Sequence, residues 1–323
     1  MSEFHRPAPG TKIASVAQAV DELRSIRDLM RWACSRMNDA DVAFGQSAVD
    51  ARTEAIAVMS WALALPPDEM EDWFDCRLSR SEREVIALLV DRRCSERVPA
   101  AYLTGEAWLA GLCFRCDPRA LIPRSLIAET MQGALVQWLD EHPRRDPGWP
   151  ATILDLCTGG GSLAILAALA FPEASVTGCD LSPEALELAA TNRDLHGLQT
   201  NVRFLQGDCF EPVKREKFDL ILCNPPYVND FSMGNLPAEF RSEPRLALAG
   251  GPDGMDLIRR ILAGAPSHLN PDGALVLEIG HEAEHFERAF PKLEHHWLGV
   301  SAGDRMIALI EARSLRRAAA RAA

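Results

Sequence analysis

Ile153-Leu154-Asp155-Leu156-Cys157-Thr158-Gly159-Gly160-Gly161 carries an apolar run into a glycine turn, and Ser162 to Phe171 continues with a helical pattern. Strand, glycine turn and helix in that order open a βαβ unit, whose ligand sits beyond the carboxyl end of the strand. Glycine lets the backbone approach a ligand closely and adopt φ > 0. The chain that follows keeps alternating. Thr152–Leu156, Ser175–Asp180, Val202–Leu205, Phe218–Cys223, Ala274–Ile279 and Met306–Glu311 read as strands, with helical patterns between most of them. Such alternation predicts a doubly wound, Rossmann-like α/β sheet.

The second strand ends at Asp180, nineteen residues beyond Gly161, where a carboxylate can accept from both hydroxyls of a ribose. Ser182-Pro183-Glu184 then opens a helix, with Ser as cap and Pro at the first helical position. A dinucleotide fingerprint can also be counted through Gly159, Gly161 and Ala164. Asp155 separates the two readings, because its charge suits a cationic amino acid moiety and opposes a pyrophosphate. A sulfonium methyl donor carries an amino group and no phosphate, so the pattern favours S-adenosylmethionine. Gly207-Asp208-Cys209-Phe210 follows the third strand. There Asp208 is expected to accept from an adenine amino group, with Cys209 or Phe210 against the ring.

At the end of the fourth strand stands Asn224-Pro225-Pro226-Tyr227. An amide or exocyclic nitrogen delocalises its lone pair and must regain pyramidal character to attack a methyl group. Two acceptors aimed at its N–H bonds favour that change. The Asn224 side-chain oxygen can be one and the Pro225 carbonyl the other, in a turn that two prolines keep rigid. Tyr227 can pack on the planar acceptor and exclude water. The rate then comes from positioning and desolvation, with no strong base. Asn224, Pro225, Pro226 and Tyr227 are the expected catalytic residues.

Composition bounds the remaining classes. The 323 residues suit two domains, and 47% hydrophobic with 25% charged residues is ordinary for a soluble protein. No apolar stretch reaches the roughly 20 residues that span a bilayer, and Met1–Gly10 lacks the apolar core of a signal peptide. A cytoplasmic location is expected, with no membrane partner. A net charge of −12 lacks the cationic footprint of a generic nucleic-acid binder and favours encounter with a basic protein.

Residues Ser15 to Cys94 read as helices. Val20, Leu23, Ile26, Leu29, Met30 and Ala33 mark one face; further helices are expected over Val49–Ala64 and Ser81–Arg92, with Ser81 as cap. The predicted organisation is a helical recognition domain over 1–100, a hairpin linker over 101–125, a methyltransferase domain over 126–313 and a disordered Arg/Ala-rich tail over 314–323. Glu141–Pro150 reads as a loop.

Two metal-like patterns are set aside. Cys113-Phe114-Arg115-Cys116 is a half-site that no second pair completes, and nine scattered Cys argue against a disulfide framework. His281-Glu282-Ala283-Glu284-His285 satisfies a zinc-protease pattern, but it begins directly after a strand and Gly280, with no evident third ligand. No metal is expected.

The chain resembles the glutamine N5-methyltransferases that modify translation proteins. The resemblance rests on Tyr102-Leu103-Thr104-Gly105, Ile122-Pro123-Arg124-Ser125, the Asp155–Gly161 turn, Asn224–Tyr227 and Glu243-Pro244-Arg245-Leu246-Ala247-Leu248. It implies S-adenosylmethionine bound by Asp155, Thr158, Gly159, Gly161, Asp180, Asp208, Cys209 and Asn224, and a glutamine held by Asn224–Tyr227. One branch of the family acts on release factors and the other on large-subunit ribosomal protein three. Pro123-Arg124-Ser125 and Leu156-Cys157-Thr158-Gly159 resemble the ribosomal-protein branch. Gly160 departs from the Ser or Thr common there. An adenine-N6 or RNA guanine-N2 methyltransferase would use the same Asn-Pro-Pro-Tyr logic but would have to extrude its base. A non-enzymatic ribosome-assembly factor would need only the helical domain.

Overall fold

The computed structural model of the protein describes residues 13–141 and 149–322. Met1–Gly10 and most of the predicted Glu141–Pro150 loop lie outside the described residues. The chain divides into Met1–Thr104 and Gly105–Ala323.

The first unit is helical: α1 (Val16–Glu22), α2 (Ile26–Asp39), α3 (Ala51–Leu63), α4 (Arg80–Ser95) and the short α5 (Ala100–Thr104). The stripe predicted from Val20 to Ala33 spans two helices, because Ser25 caps α2 and Asp28 returns a bond to the Ser25 N–H, forming a capping box. The α4 cap is Ser79 and not Ser81. Ser79 and Glu82 close the box that Ser81, one residue from Glu82, cannot. Trp32, Met37, Met59 and Ile86 fill the core. Arg93 donates to Glu54 at 2.6 Å, with the two side chains 1% and 4% exposed, tying α4 to α3.

The second unit opens with an antiparallel hairpin, β1 (Glu106–Leu109) and β2 (Leu112–Arg115), then α6 (Ile127–Thr130) and α7 (Ala134–Glu141). The βα alternation follows: β3 (Thr152–Leu156), α8 (Ser162–Ala170), β4 (Ser175–Asp180), α9 (Pro183–Leu195), β5 (Val202–Gln206) and β6 (Phe218–Cys223). After α10 (Asp230–Gly234) come α11 (Asp256–His268), β7 (Leu269–Glu278), α12 (Ala283–Ala289), β8 (His296–Val300), β9 (Gly303–Glu311) and α13 (Ala312–Ala322).

The seven-stranded sheet runs β5-β4-β3-β6-β7-β9-β8. Strands β3 to β7 pair in parallel, and β9 is antiparallel to both β7 and β8. Helices cover both faces, so β6 is buried along its whole length, as a central parallel strand must be. Alternate residues serve opposite layers. Ile153, Leu220 and Val276 pack with α8, whereas Leu154, Ile221 and Leu275 pack with α11 and α13. Strand order reverses between β3 and β6, because β4 lies on one side of β3 and β6 on the other. A crevice opens at such a switch, beyond the carboxyl ends.

The tail is a correction. Residues expected to be disordered from 314 form most of α13, with Leu315 2% exposed against Ile258 and Ile310. Arg316 donates to the carbonyl of Leu269 at 2.9 Å. An Ala-rich segment has high helical propensity, and one buried Leu supplies the tertiary anchor. Leu315→Ala is expected to destabilise the second unit by about 2–5 kcal/mol, the range for emptying a core leucine site. Urea unfolding of both proteins checks it.

Candidate active site

At the end of β3 the chain turns through Cys157, Gly159 and Gly161, with φ of 59°, 52° and 81°. Only glycine fits at 161. A Cβ there would lie 2.9 Å from the Phe204 ring and 3.0 Å from Ala189. Position 160 differs: its φ is not left-handed, and a Cβ would meet its nearest neighbour at an ordinary 3.5 Å. The Gly160 carbonyl accepts from Asn192 on α9 at 2.9 Å, and Asn192 also bonds both backbone groups of Arg115 in β2. The hairpin thereby braces the turn.

Asp155 is fully buried below this turn, not in it. Its Oδ2 accepts from Thr158 Oγ1 at 2.5 Å and from the Ala164 N–H at 3.0 Å, which ties turn to helix. Its Oδ1 has no partner among the described residues. Burial raises the carboxyl to about 7. Asp180, at the end of β4, accepts from the Gly159 N–H at 2.8 Å and the Ser182 N–H at 2.9 Å. Burial pushes its carboxyl upward as well. Asp208, beyond β5, is held low by a 2.7 Å bond from Arg260 on α11. Cys209 follows with φ 51°, and burial raises its thiol to about 12.

Asn224 directly follows β6 and lines the same cavity as this group. Behind it the Tyr227 hydroxyl donates to Glu278 at 3.2 Å, and burial raises the phenol above its ordinary range. The strand-like bridge Val228↔Ala249 brings the Glu243–Leu248 segment alongside. The Glu243 side chain, 0% exposed, accepts from Arg124 at 2.6 Å and from the Ile122 N–H at 3.2 Å. Three separate motifs thus contribute to the lining of a single cavity.

That cavity measures about 660 Å³ and lies at the switch point. Thr158, Gly159, Asp180, Asp208, Cys209 and Asn224 line it, with Pro226 next to them. Four predicted site residues do not line it. Asp155 lies under the turn, Gly161 closes the turn packed against Phe204 and Ala189, Pro225 is buried, and the Tyr227 ring is wedged against Gly280. The expectation that Asp155 faces a ligand therefore changes: strand pleating turns its side chain toward α8. Asn192, Glu278 and Arg260 were not singled out from the sequence, and Glu243 only as part of the Glu243–Leu248 motif. Glu278, an acid at the carboxyl end of a strand, carried the one local signal that could have found it.

The His281–His285 motif serves the same loops. Glu282 accepts from Asn229 Nδ2 at 2.6 Å and bonds His285 Nδ1 at 2.5 Å, so its carboxylate holds the chain after Tyr227.

A family profile described as a methyltransferase domain matches residues 150–296. A ribosomal protein uL3 glutamine methyltransferase of Bordetella pertussis is 52% identical, covering 90% of this chain and 95% of that protein. Proteins of the same description from Burkholderia pseudomallei and Xylella fastidiosa are 46% and 40% identical, covering 90% and 94% of this chain and 96% and 95% of theirs.

Gly160→Ser is expected to fold and to stabilise the turn by about 0.4–1 kcal/mol, through loss of unfolded-state freedom; Gly161→Ser, which must displace Phe204, is expected to destabilise. Paired denaturant titrations read both. Asp155 predicts a pH dependence. Its folded pKa of about 7 exceeds the ordinary 3.8, so the folded state binds the proton more tightly. Stability is lost as pH rises through that window and is unaffected below it. Asp155→Asn is expected to flatten this loss, seen as a wild-type-minus-variant urea midpoint that falls between those pH values.

Proposed function

The chain belongs to the ribosomal protein uL3 glutamine methyltransferase family, and from that premise we propose that it methylates N5 of a glutamine side chain of uL3, with S-adenosylmethionine as donor. The observation that carries the reading is the cavity at the β3/β6 switch, which Gly159, Asp180 and Asn224 line together.

The residues fit the donor. The bare Gly159–Gly160 backbone leaves room for close approach. Each Asp180 oxygen uses one backbone N–H, which leaves lone pairs for ribose hydroxyls. The unpartnered Asp155 Oδ1 supplies negative charge beneath the turn for an ammonium group. Apolar Leu181 and Leu257 line the part that an adenine would fill. Asp208 would act there through its pairing with Arg260, not as an isolated acceptor. When bound, S-adenosylmethionine supplies an electrophilic sulfonium methyl.

The chain's own work is positional. In this reading Asn224 and the Pro225 carbonyl accept from the two N–H bonds of the incoming carboxamide and fix its nitrogen for in-line attack. Tyr227 supports the turn from behind. The amide proton turns acidic as the N–C bond forms, so it passes to an accepting oxygen or water without a strong base. Prior orientation supplies most of the acceleration. Neither nucleic acid nor a membrane takes part, in keeping with the net charge of −12. No helix among the described residues is long and apolar enough to cross a membrane. The proposed setting is the cytoplasm.

The test is incubation with labelled S-adenosylmethionine and either uL3 or a release factor, followed by mass spectrometry. Methylglutamine on uL3 is expected; label on the release factor alone would overturn the substrate. Asn224→Ala is expected to lower kcat by about 10²–10³, the scale for losing one preorganised polar contact, with donor affinity retained by calorimetry.

A further inference from the structure

Glu278 ends β7 on the acceptor side of the cavity, and the mechanism above does not use it. It is 3% exposed. Its oxygens divide three donors between two chain segments. Oε1 accepts from the Tyr227 hydroxyl at 3.2 Å. Oε2 accepts from Ser125 Oγ at 2.5 Å and from the Leu126 N–H at 3.0 Å. Ser125 Oγ itself accepts from the Ile127 N–H at 3.3 Å, so its one proton is left for Glu278. Tyr227 is confined on its other side, where a Cβ at Gly280 would lie 2.5 Å from the ring.

Resting on the reading of Asn224–Tyr227 as the acceptor turn, we infer that Glu278 is a positioning residue for methyl transfer. It fixes the Tyr227 ring through its hydroxyl and clamps the Pro123–Ser125 wall of the cavity to the same strand. Glu278 does not itself line the cavity, whereas Pro123, Arg124, Ser125 and Pro226 do. It therefore acts on the reacting groups through its partners. Bonds to a buried carboxylate are charge-assisted and directional, and no water competes for them. Glu243 grips the same wall through Ile122 and Arg124, so this segment is held from two sides. Among the described residues Glu278 makes no hydrogen bond to the donor end, built on β3, β4 and β5. Its loss should fall on acceptor kinetics and spare donor binding.

The chain has two tyrosines, so a Tyr102→Phe background isolates Tyr227. In that background the tyrosine Raman doublet, which reports hydroxyl donor strength, is expected to shift in Glu278→Ala and to hold its position in Glu278→Gln. With uL3 as acceptor, Glu278→Ala is expected to lose about tenfold or more in kcat, and Glu278→Gln, whose carbonyl still accepts, to recover to within about threefold. The dissociation constant for S-adenosylmethionine should stay within about twofold in both. Should the alanine variant not fold, Glu278→Asp, too short to reach both segments, carries the same expectations. An unmoved doublet, donor affinity falling in step with kcat, or a Gln variant no better than Ala would overturn the inference. The Raman arm needs no acceptor, so failure of wild type to methylate uL3 is seen separately.

Discussion

A carboxylate removed from water costs several kcal/mol unless hydrogen bonds replace its hydration, and among those this fold buries beside its cavity are Asp155 and Glu278. Each stands at or near the carboxyl end of a parallel strand, and each must therefore be met by donors from the loops above. Asp155 is met by Thr158 and the N-terminal turn of α8. Glu278 is met by Tyr227, Ser125 and Leu126. The loops that form the cavity have little freedom to be elsewhere, because moving would leave a buried charge unmatched. The rigid sheet thus dictates the conformation of segments that, by composition, would be mobile.

The sheet also separates two tasks. Strands β3, β4 and β5 present the glycine turn, Asp180 and Asp208; β6 and β7 present Asn224 and Glu278. The two sets meet only at the β3/β6 border, where strand order reverses. A ligand from each side would bring its reacting atom to that border without any large motion of the second unit. Arg260 and Asp208 neutralise each other at the rim, whereas the buried Asp155 and the half-buried Asp180 are met by backbone N–H groups and Thr158 and not by a cation. Burial raises both carboxyls. A cationic ligand end would relieve that condition, whereas a pyrophosphate would worsen it.

Much of the sheet could be read locally. Thr152–Leu156, Ser175–Asp180 and Phe218–Cys223 read as strands from the sequence, and their bounds agree with β3, β4 and β6. β8 was missed because His296–Val300 is an edge strand whose exposure alternates weakly. The Ser79 cap was missed because two serines stood within reach of one helix start, and only the reciprocal bond from Glu82 chooses between them. Asp155 was placed correctly in the chain and wrongly in space. Sequence gives its distance from the turn, but pleating decides which face it serves. Glu278 and Ser125 are 153 residues apart, and no local pattern announces such a pair. Asn192 is equally silent, since a buried amide on a helix reads as an ordinary polar residue until Arg115 and Gly160 are brought to it.

The His281–His285 segment shows why a motif must be read with its neighbours. Its spacing is that of a metal-binding helix, but its first two residues lie in a tight turn, Gly280–Glu282, just after β7, and α12 begins only at Ala283. Glu282 consequently faces Asn229, whose Oδ1 caps α10 by accepting from the Ser232 N–H at 2.9 Å. That cap fixes the segment leaving Tyr227, just as Glu278 fixes Tyr227 itself. Two acids four residues apart, on a strand end and its following turn, therefore lock successive parts of one loop. A planar amide entering the cavity would meet a wall whose ordering has already been met in folding, so little of its binding energy is lost to arranging the site.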